Sequence, residues 1–144
     1  MSAHYRTDGV GDAVTAGARP LMIWRVVGAV LLLAMGGIHL YLVLTGFSGL
    51  VGTLFLLNAI GGLVLAVALV VAPRRFLSVT ALLSLLFMVG TLLGLVIALT
   101  PVGLLGVHEK LGNTLVPQTL VVESIGSIVL LVTTVLAFRM RRAG

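Results

Sequence analysis

Long uninterrupted runs of apolar residues make up most of the chain, and polar residues are concentrated between them. A helix that crosses a bilayer needs about 20 consecutive apolar residues. Four runs are long enough, and they predict membrane-spanning helices at about residues 26–47, 50–72, 76–100 and 118–138. All four prolines lie at or near the ends of these runs, where proline does not interrupt a helix. None of the runs alternates in polarity as the strands of a membrane barrel do, so the pattern predicts an all-α membrane protein.

Composition supports the same fold class. Of the 144 residues 60% are hydrophobic and 9% are charged, whereas a soluble domain carries about 25% charged residues. A small soluble domain leaves too much of its surface exposed to hide so many apolar side chains. Cysteine is absent, which excludes disulfides, thiol catalysis and thiolate metal sites.

The basic residues predict the orientation in the membrane. The formal net charge is +5, but the basic residues lie between apolar runs, which indicates membrane topology and argues against a nucleic-acid partner. Lys110 lies on one side of the predicted membrane, and every arginine lies on the other: Arg6, Arg19, Arg25, Arg74, Arg75, Arg139, Arg141 and Arg142. By the positive-inside rule the arginine side is cytoplasmic. We therefore predict a multi-pass protein of the cell inner (plasma) membrane, with both termini in the cytoplasm.

The predicted organisation has three parts. Residues 1–20 are polar and are predicted to form a disordered cytoplasmic tail. Residues 21–138 form the four-helix transmembrane domain, whose first span we interpret as retained rather than cleaved, and they include an outer loop at 101–117. Residues 139–144 are a basic cytoplasmic tail.

The second and fourth spans resemble each other, which indicates an internal repeat. Eight of the 17 positions from Asn58 to Arg74 are identical to those from Glu123 to Arg139. The repeat predicts two helical hairpins of the same orientation, related by an axis along the membrane normal. The second hairpin then carries an insertion in its outer loop, and loop insertions often carry function.

Three polar residues stand out within the spans: His39, Asn58 and Glu123. All three are predicted to lie in the outer half of the membrane, and polar residues there usually face protein rather than lipid. One interpretation is a hydrogen-bond clamp that fixes the order of the helices. Another is a proton or solute site, in which Glu123 carries the proton. A metal or haem site is the third and has least support, because only one histidine lies within a span.

Two further features bear on this cluster. His108 and Glu109 lie on the outer loop, where they would fold down as a lid and add ligands. Gly90 and Gly94 form a small-xxx-small pair in the third span, which predicts a helix-packing face within the bundle or between two copies of the chain.

Two short motifs carry a family resemblance. The segments Gly37–Tyr41 and Leu54–Asn58 resemble those of a group of small four-span membrane proteins common in actinobacteria, and the similarity covers roughly residues 22–138. The resemblance implies a four-helix architecture and an actinobacterial host, and it implies no activity.

Three functions are compatible with these features. The first is a non-enzymatic accessory or structural subunit of a membrane complex. The second is a small proton-coupled transporter that works as a homo-oligomer and uses Glu123. The third is an enzyme or redox subunit, for which no catalytic residues, metal ligands or cofactor are predicted. The only partner that the sequence itself requires is the lipid bilayer.

Overall fold

The computed structural model describes residues 8–143, with side chains from residue 19 onwards. This part of the chain forms four α-helices: α1 (Asp8–Thr45), α2 (Gly49–Val71), α3 (Arg74–Ala98) and α4 (Val116–Arg142). Each contains a stretch that is long and apolar enough to cross a membrane, which in α1 is Arg19–Thr45. The predictions of an all-helical fold and of four helices able to cross a membrane are confirmed for the described residues.

Consecutive helices run in opposite directions, so each end of the bundle holds a different set of connections. We call the end that holds residues 72–73 and the last turn of α4 the arginine end. The opposite end, which holds residues 46–48 and 99–115, is the loop end. Helix α1 packs on α2 and on α4, and α3 packs on α4, whereas the contact between α2 and α3 is the least extensive of these four adjacent pairs.

The first helix differs from the prediction of a disordered tail up to residue 20. Helix α1 begins at Asp8 and continues through Pro20. Residues 1–7, for which the same disordered tail is predicted, lie outside the described residues. The loop between α3 and α4 spans residues 99–115 rather than 101–117, because α4 begins at Val116 with Pro117 in its first turn, where proline is tolerated.

Glycines allow α1 and α2 to pack closely in the centre of the bundle. A Cβ atom added to Gly62 would lie 2.9 Å from the main-chain oxygen of Leu32, and one added to Gly36 would lie 3.2 Å from that of Ala59. Such small residues let helix backbones approach each other in a membrane. The fully buried side chains of Leu32, Met35, Leu69, Met88 and Leu130 fill the adjacent core.

Arg25 ties α1 to α2 at the arginine end. Its guanidinium donates hydrogen bonds to the main-chain oxygens of Leu69 at 2.8 Å, Val70 at 2.6 Å and Ala72 at 2.9 Å. These are carbonyls at the end of α2 that have no partner further along the helix, because the helix stops before Pro73. A cation at this position also complements the helix dipole.

The loop at residues 99–115 is ordered by its own backbone hydrogen bonds. Leu104 and Val107 exchange two of them, at 2.9 and 2.8 Å, around a tight turn. Leu105 and Gly106 in that turn both have positive φ. The amide of Glu109 donates to the main-chain oxygen of Ala98 at 2.8 Å, which fastens the loop to the end of α3.

Candidate functional site

A cavity of about 1010 Å³ opens at the loop end of the bundle. The first turns of α4, the facing halves of α1, α2 and α3, and the loop at residues 99–115 form its walls. Pockets for small molecules typically measure about 300–1,000 Å³. His39, Asn58 and Glu123 all line this one cavity, so three residues that are far apart in the sequence share one space.

The arrangement of α2 and α3 explains why space remains here. Only residues 72–73 connect these helices at the arginine end, and the helices contact each other least of the adjacent pairs. Towards the arginine end the Phe87 ring lies over Gly61, where an added Cβ would come within 2.7 Å of its Cζ. Nearer the loop end the wall of α3 carries Gly90, where an added Cβ meets no atom within 4 Å.

Glu123 is the most unusual residue of the site. Its side chain is fully buried, and neither carboxyl oxygen has a hydrogen-bond partner among residues 19–143. Ser127 donates to the main-chain oxygen of Glu123 at 2.7 Å. The Thr91 hydroxyl, which neighbours the carboxyl group, lies 2.8 Å from the main-chain oxygen of Met88. Buried polar groups in native proteins nearly always have partners. The carboxyl group therefore has unused hydrogen-bonding capacity at the wall of the cavity.

His39 presents one ring nitrogen to a helix and leaves the other unused. Its side chain is buried, and Nδ1 lies 2.9 Å from the main-chain oxygen of Met35. A carbonyl oxygen can only accept, so Nδ1 is the donor, and Nε2 of the neutral ring is an acceptor. The ring also packs edge-on against Phe55, with centroids 5.1 Å apart.

Asn58 is half-buried in the cavity wall, whereas His39 and Glu123 are buried. Within the part of the chain that the structure describes, no side-chain hydrogen bond joins His39, Asn58 and Glu123 to one another. The three share a cavity without forming the hydrogen-bond clamp that the sequence also allowed.

The two polar residues predicted for the loop have different positions. Glu109 lines the cavity, and its Oε2 accepts a hydrogen bond of 2.7 Å from Nδ2 of Asn113. His108 is exposed and does not line the cavity; its Nε2 lies 3.2 Å from the main-chain oxygen of Pro101. Glu109 thus belongs to the rim of the site, whereas His108 contacts only the loop.

Gly90 and Gly94 line the same cavity. An added Cβ at Gly94 would meet Leu104 of the loop at 3.4 Å, and one at Gly90 would meet nothing nearby. In the described part of the chain, neither glycine packs against another helix. Their predicted role as a contact face between two copies stays a prediction.

Aromatic residues contribute to the site in a way that the sequence analysis did not anticipate. Tyr41, Phe47, Phe55 and Phe87 all line the cavity, and the rings of Phe47 and Phe55 are 5.1 Å apart. Helical spacing offered a signal, because Phe55 precedes Asn58 by one turn and Phe87 precedes Thr91 by one turn. Apart from Glu109, the lining residues of the loop at 104–115 carried no comparable signal.

Among residues 19–143, no group of three or more His, Cys, Asp and Glu side chains is arranged to hold a metal ion. No protein-family model, curated protein or solved structure matches the chain.

Proposed function

We propose that the protein is a non-enzymatic binding protein of the cell membrane, which holds a lipophilic small molecule with a polar group in the cavity at the loop end. The observation that carries this proposal is the fully buried carboxyl group of Glu123, which lines the cavity without a hydrogen-bond partner in the described chain. A buried polar group without a partner costs about 1–3 kcal/mol. A ligand that binds to it recovers that free energy.

Apolar walls and a few polar groups suit such a ligand. The cavity is lined mainly by aliphatic and aromatic side chains, with His39, Asn58 and Glu123 deep in the wall and Glu109 at the rim. Small-molecule sites typically combine these features, because the apolar area supplies affinity and the polar groups fix orientation. In this proposal a lipophilic molecule enters from the bilayer between α2 and α3, whose contact is the least extensive of the adjacent pairs.

The orientation and origin of the protein belong to the same proposal. The arginine end faces the cytoplasm, both termini are cytoplasmic, and the cavity opens in the outer half of the plasma membrane of an actinobacterial cell. Support comes from the distribution of arginine, which the positive-inside rule relates to the cytoplasmic side. The internal repeat supports the pairing of α1–α2 and α3–α4 as two hairpins of the same orientation.

A proton-coupled transporter is the second candidate, and the same carboxyl group favours it. An ionisable residue within a membrane helix is characteristic of proton and substrate pathways. In one chain the fully buried Leu32, Met35, Met88 and Leu130 separate the cavity from the arginine end, so transport requires rearrangement or a homo-oligomer. We expect proton-coupled flux into proteoliposomes, and we expect Glu123→Gln to abolish it. Flux that survives this substitution excludes the mechanism. A role as an accessory subunit of a larger membrane complex stays a prediction.

Binding of a neutral lipophilic dye tests the proposed function. Nile red is titrated into lipid nanodiscs that hold the protein, and empty nanodiscs provide the background. We expect a saturable increase in fluorescence that Gly90→Leu abolishes, because the new side chain extends into the cavity. Gly37→Leu is the matched control, because Gly37 is exposed on α1 and an added Cβ there also meets nothing within 4 Å.

Two results would contradict the proposal. One is a titration that matches empty nanodiscs at every dye concentration. The other is a saturable signal that Gly90→Leu leaves unchanged, since the dye would then bind elsewhere on the apolar surface.

A further inference from the structure

Several side chains of the cavity offer hydrogen-bond acceptors. Glu109 and Glu123 contribute carboxyl groups, and His39 contributes Nε2 because its Nδ1 bonds to Met35. No lysine or arginine is among the described residues that line the cavity. The only basic residue on the loop, Lys110, is exposed and does not line it. An anionic ligand would therefore meet two acidic residues and no counter-charge.

Two threonine hydroxyls add further acceptors. Thr45 and Thr119 line the cavity, and each donates its only proton to a main-chain oxygen one turn earlier. The donor–acceptor distances are 2.9 and 2.7 Å respectively. A hydroxyl whose proton is engaged in this way can offer a ligand only its oxygen lone pairs. The donors that remain include the Asn58 amide and the hydroxyls of Tyr41 and Thr114.

The aromatic residues of the wall favour the same kind of ligand. The faces of Phe and Tyr rings attract organic cations, and the attraction grows when the site is shielded from water. Tyr41, Phe47, Phe55 and Phe87 line the cavity from three helices and the turn at residues 46–48. Acceptor atoms, aromatic rings and carboxyl groups in one apolar space are the chemistry that recognises an organic ammonium or phosphonium group.

We infer that the cavity selects lipophilic organic cations over anions of the same shape, with Glu123 as the charge partner. This inference rests on the proposed binding function and names its ligand class. A buried carboxylate without a counter-charge is costly, whereas one paired with a desolvated cation is stabilised by a short-range charge interaction. The cation enters with its apolar substituents against the aromatic wall and its charge towards α4.

Two ions of nearly identical shape and opposite charge test the inference. Tetraphenylphosphonium and tetraphenylborate are measured by equilibrium dialysis against nanodiscs that hold the protein, with empty nanodiscs as background. We expect saturable binding of the phosphonium alone. Glu123→Gln keeps the shape of the side chain and removes its charge, and it should weaken phosphonium binding by about tenfold or more. Glu109→Gln, at the rim, should have a smaller effect.

The Nile red titration separates failure of this inference from failure of the proposed function. Equal binding of both ions, or phosphonium binding that Glu123→Gln leaves unchanged, overturns the ligand class even if Nile red still binds saturably. Loss of saturable Nile red binding overturns both. If the Gln variant does not fold, Asn58→Asp tests the inference in the opposite direction, because a second carboxyl group in the cavity should strengthen phosphonium binding; unchanged or weaker binding would overturn the inference.

Discussion

At the scale of single residues, Glu123 distinguishes a binding site from a structural clamp. A clamp requires the carboxyl group to bond to the neighbouring helices, so its removal would destabilise the bundle. The structure shows a fully buried carboxyl group with no partner in the described chain. Residues selected for function are often retained at a cost in stability.

We expect Glu123→Met to stabilise the protein by about 1–3 kcal/mol, because methionine has a similar shape and no polar group to desolvate. The measurement is the free energy of unfolding in mixed detergent micelles. Ser124→Ala, at an exposed position on the same turn, is the control and should change little. A variant that is less stable than the parent would show that Glu123 is a structural residue.

Arg25 has a structural role in addition to the role in topology that its position in the sequence predicts. The arginine pattern predicts only that this residue marks the cytoplasmic side, whereas the structure shows three hydrogen bonds to the end of α2. Its partners lie 44 to 47 positions away in the chain, so no local pattern could have revealed them.

Arg25→Met should reduce the free energy of unfolding by about 2–3 kcal/mol, because the carbonyls at the end of α2 lose a charged donor. Arg25→Lys should recover only part of this loss, since an ammonium group cannot reproduce the fork of the guanidinium. Arg74→Met, at an exposed position, should have an effect below about 0.5 kcal/mol. Equal effects at the two arginines would argue against the interaction.

At the scale of helices, the pattern of apolar runs predicted most of the fold. Prolines at or near the ends of the runs placed α2, α3 and α4 to within a few residues, because proline disfavours continuation of a helix. The extension of α1 to Asp8 was not predicted, since the first 20 residues are polar and Pro20 suggested a boundary. The course of the loop at 99–115 depends on turn geometry and on contacts with α3 that the sequence does not encode locally.

Two glycines of the apolar spans have different surroundings in the structure. Gly62→Ala should destabilise the bundle by about 1–3 kcal/mol, because the added Cβ collides with the backbone of α1. Gly90→Ala should stabilise it by about 0.5–1 kcal/mol, because the site has room and alanine is the better helix former. Unfolding free energies of the two variants, with oligomeric mass measured alongside, provide the test. Loss of a dimer in Gly90→Ala would instead support a contact face between copies.

The sequence singled out three residues of the candidate site, but it did not predict whether they bond to one another or line a cavity. His39, Asn58 and Glu123 were singled out because polar residues are rare within spans, and the structure brings all three to one cavity. Whether they bond to one another or face a shared space depends on helix separation. That separation follows from the close packing of α1 on α2 and the poor contact of α3 with α2, which no single span encodes.

At the scale of the whole molecule, a cavity in the outer half of the membrane requires a defined orientation of the bundle. The chain has no cysteine, so single cysteines can be introduced without background. A membrane-impermeant maleimide applied to intact cells should label Ser48→Cys and Leu111→Cys, which lie at the loop end, and should not label Ala143→Cys until the cells are opened. Labelling of Ala143→Cys in intact cells would invert the orientation and place the cavity on the cytoplasmic side.

The most direct test of the account is photolabelling with a neutral lipophilic diazirine in nanodiscs, followed by mass spectrometry of the labelled peptides. We predict that excess Nile red suppresses labelling of the cavity segments around Asn58 and Glu123, while labelling of the lipid-facing side chains continues. Labelling that spreads over the outer apolar surface, with no segment protected by the dye, would contradict a ligand-binding cavity within this bundle.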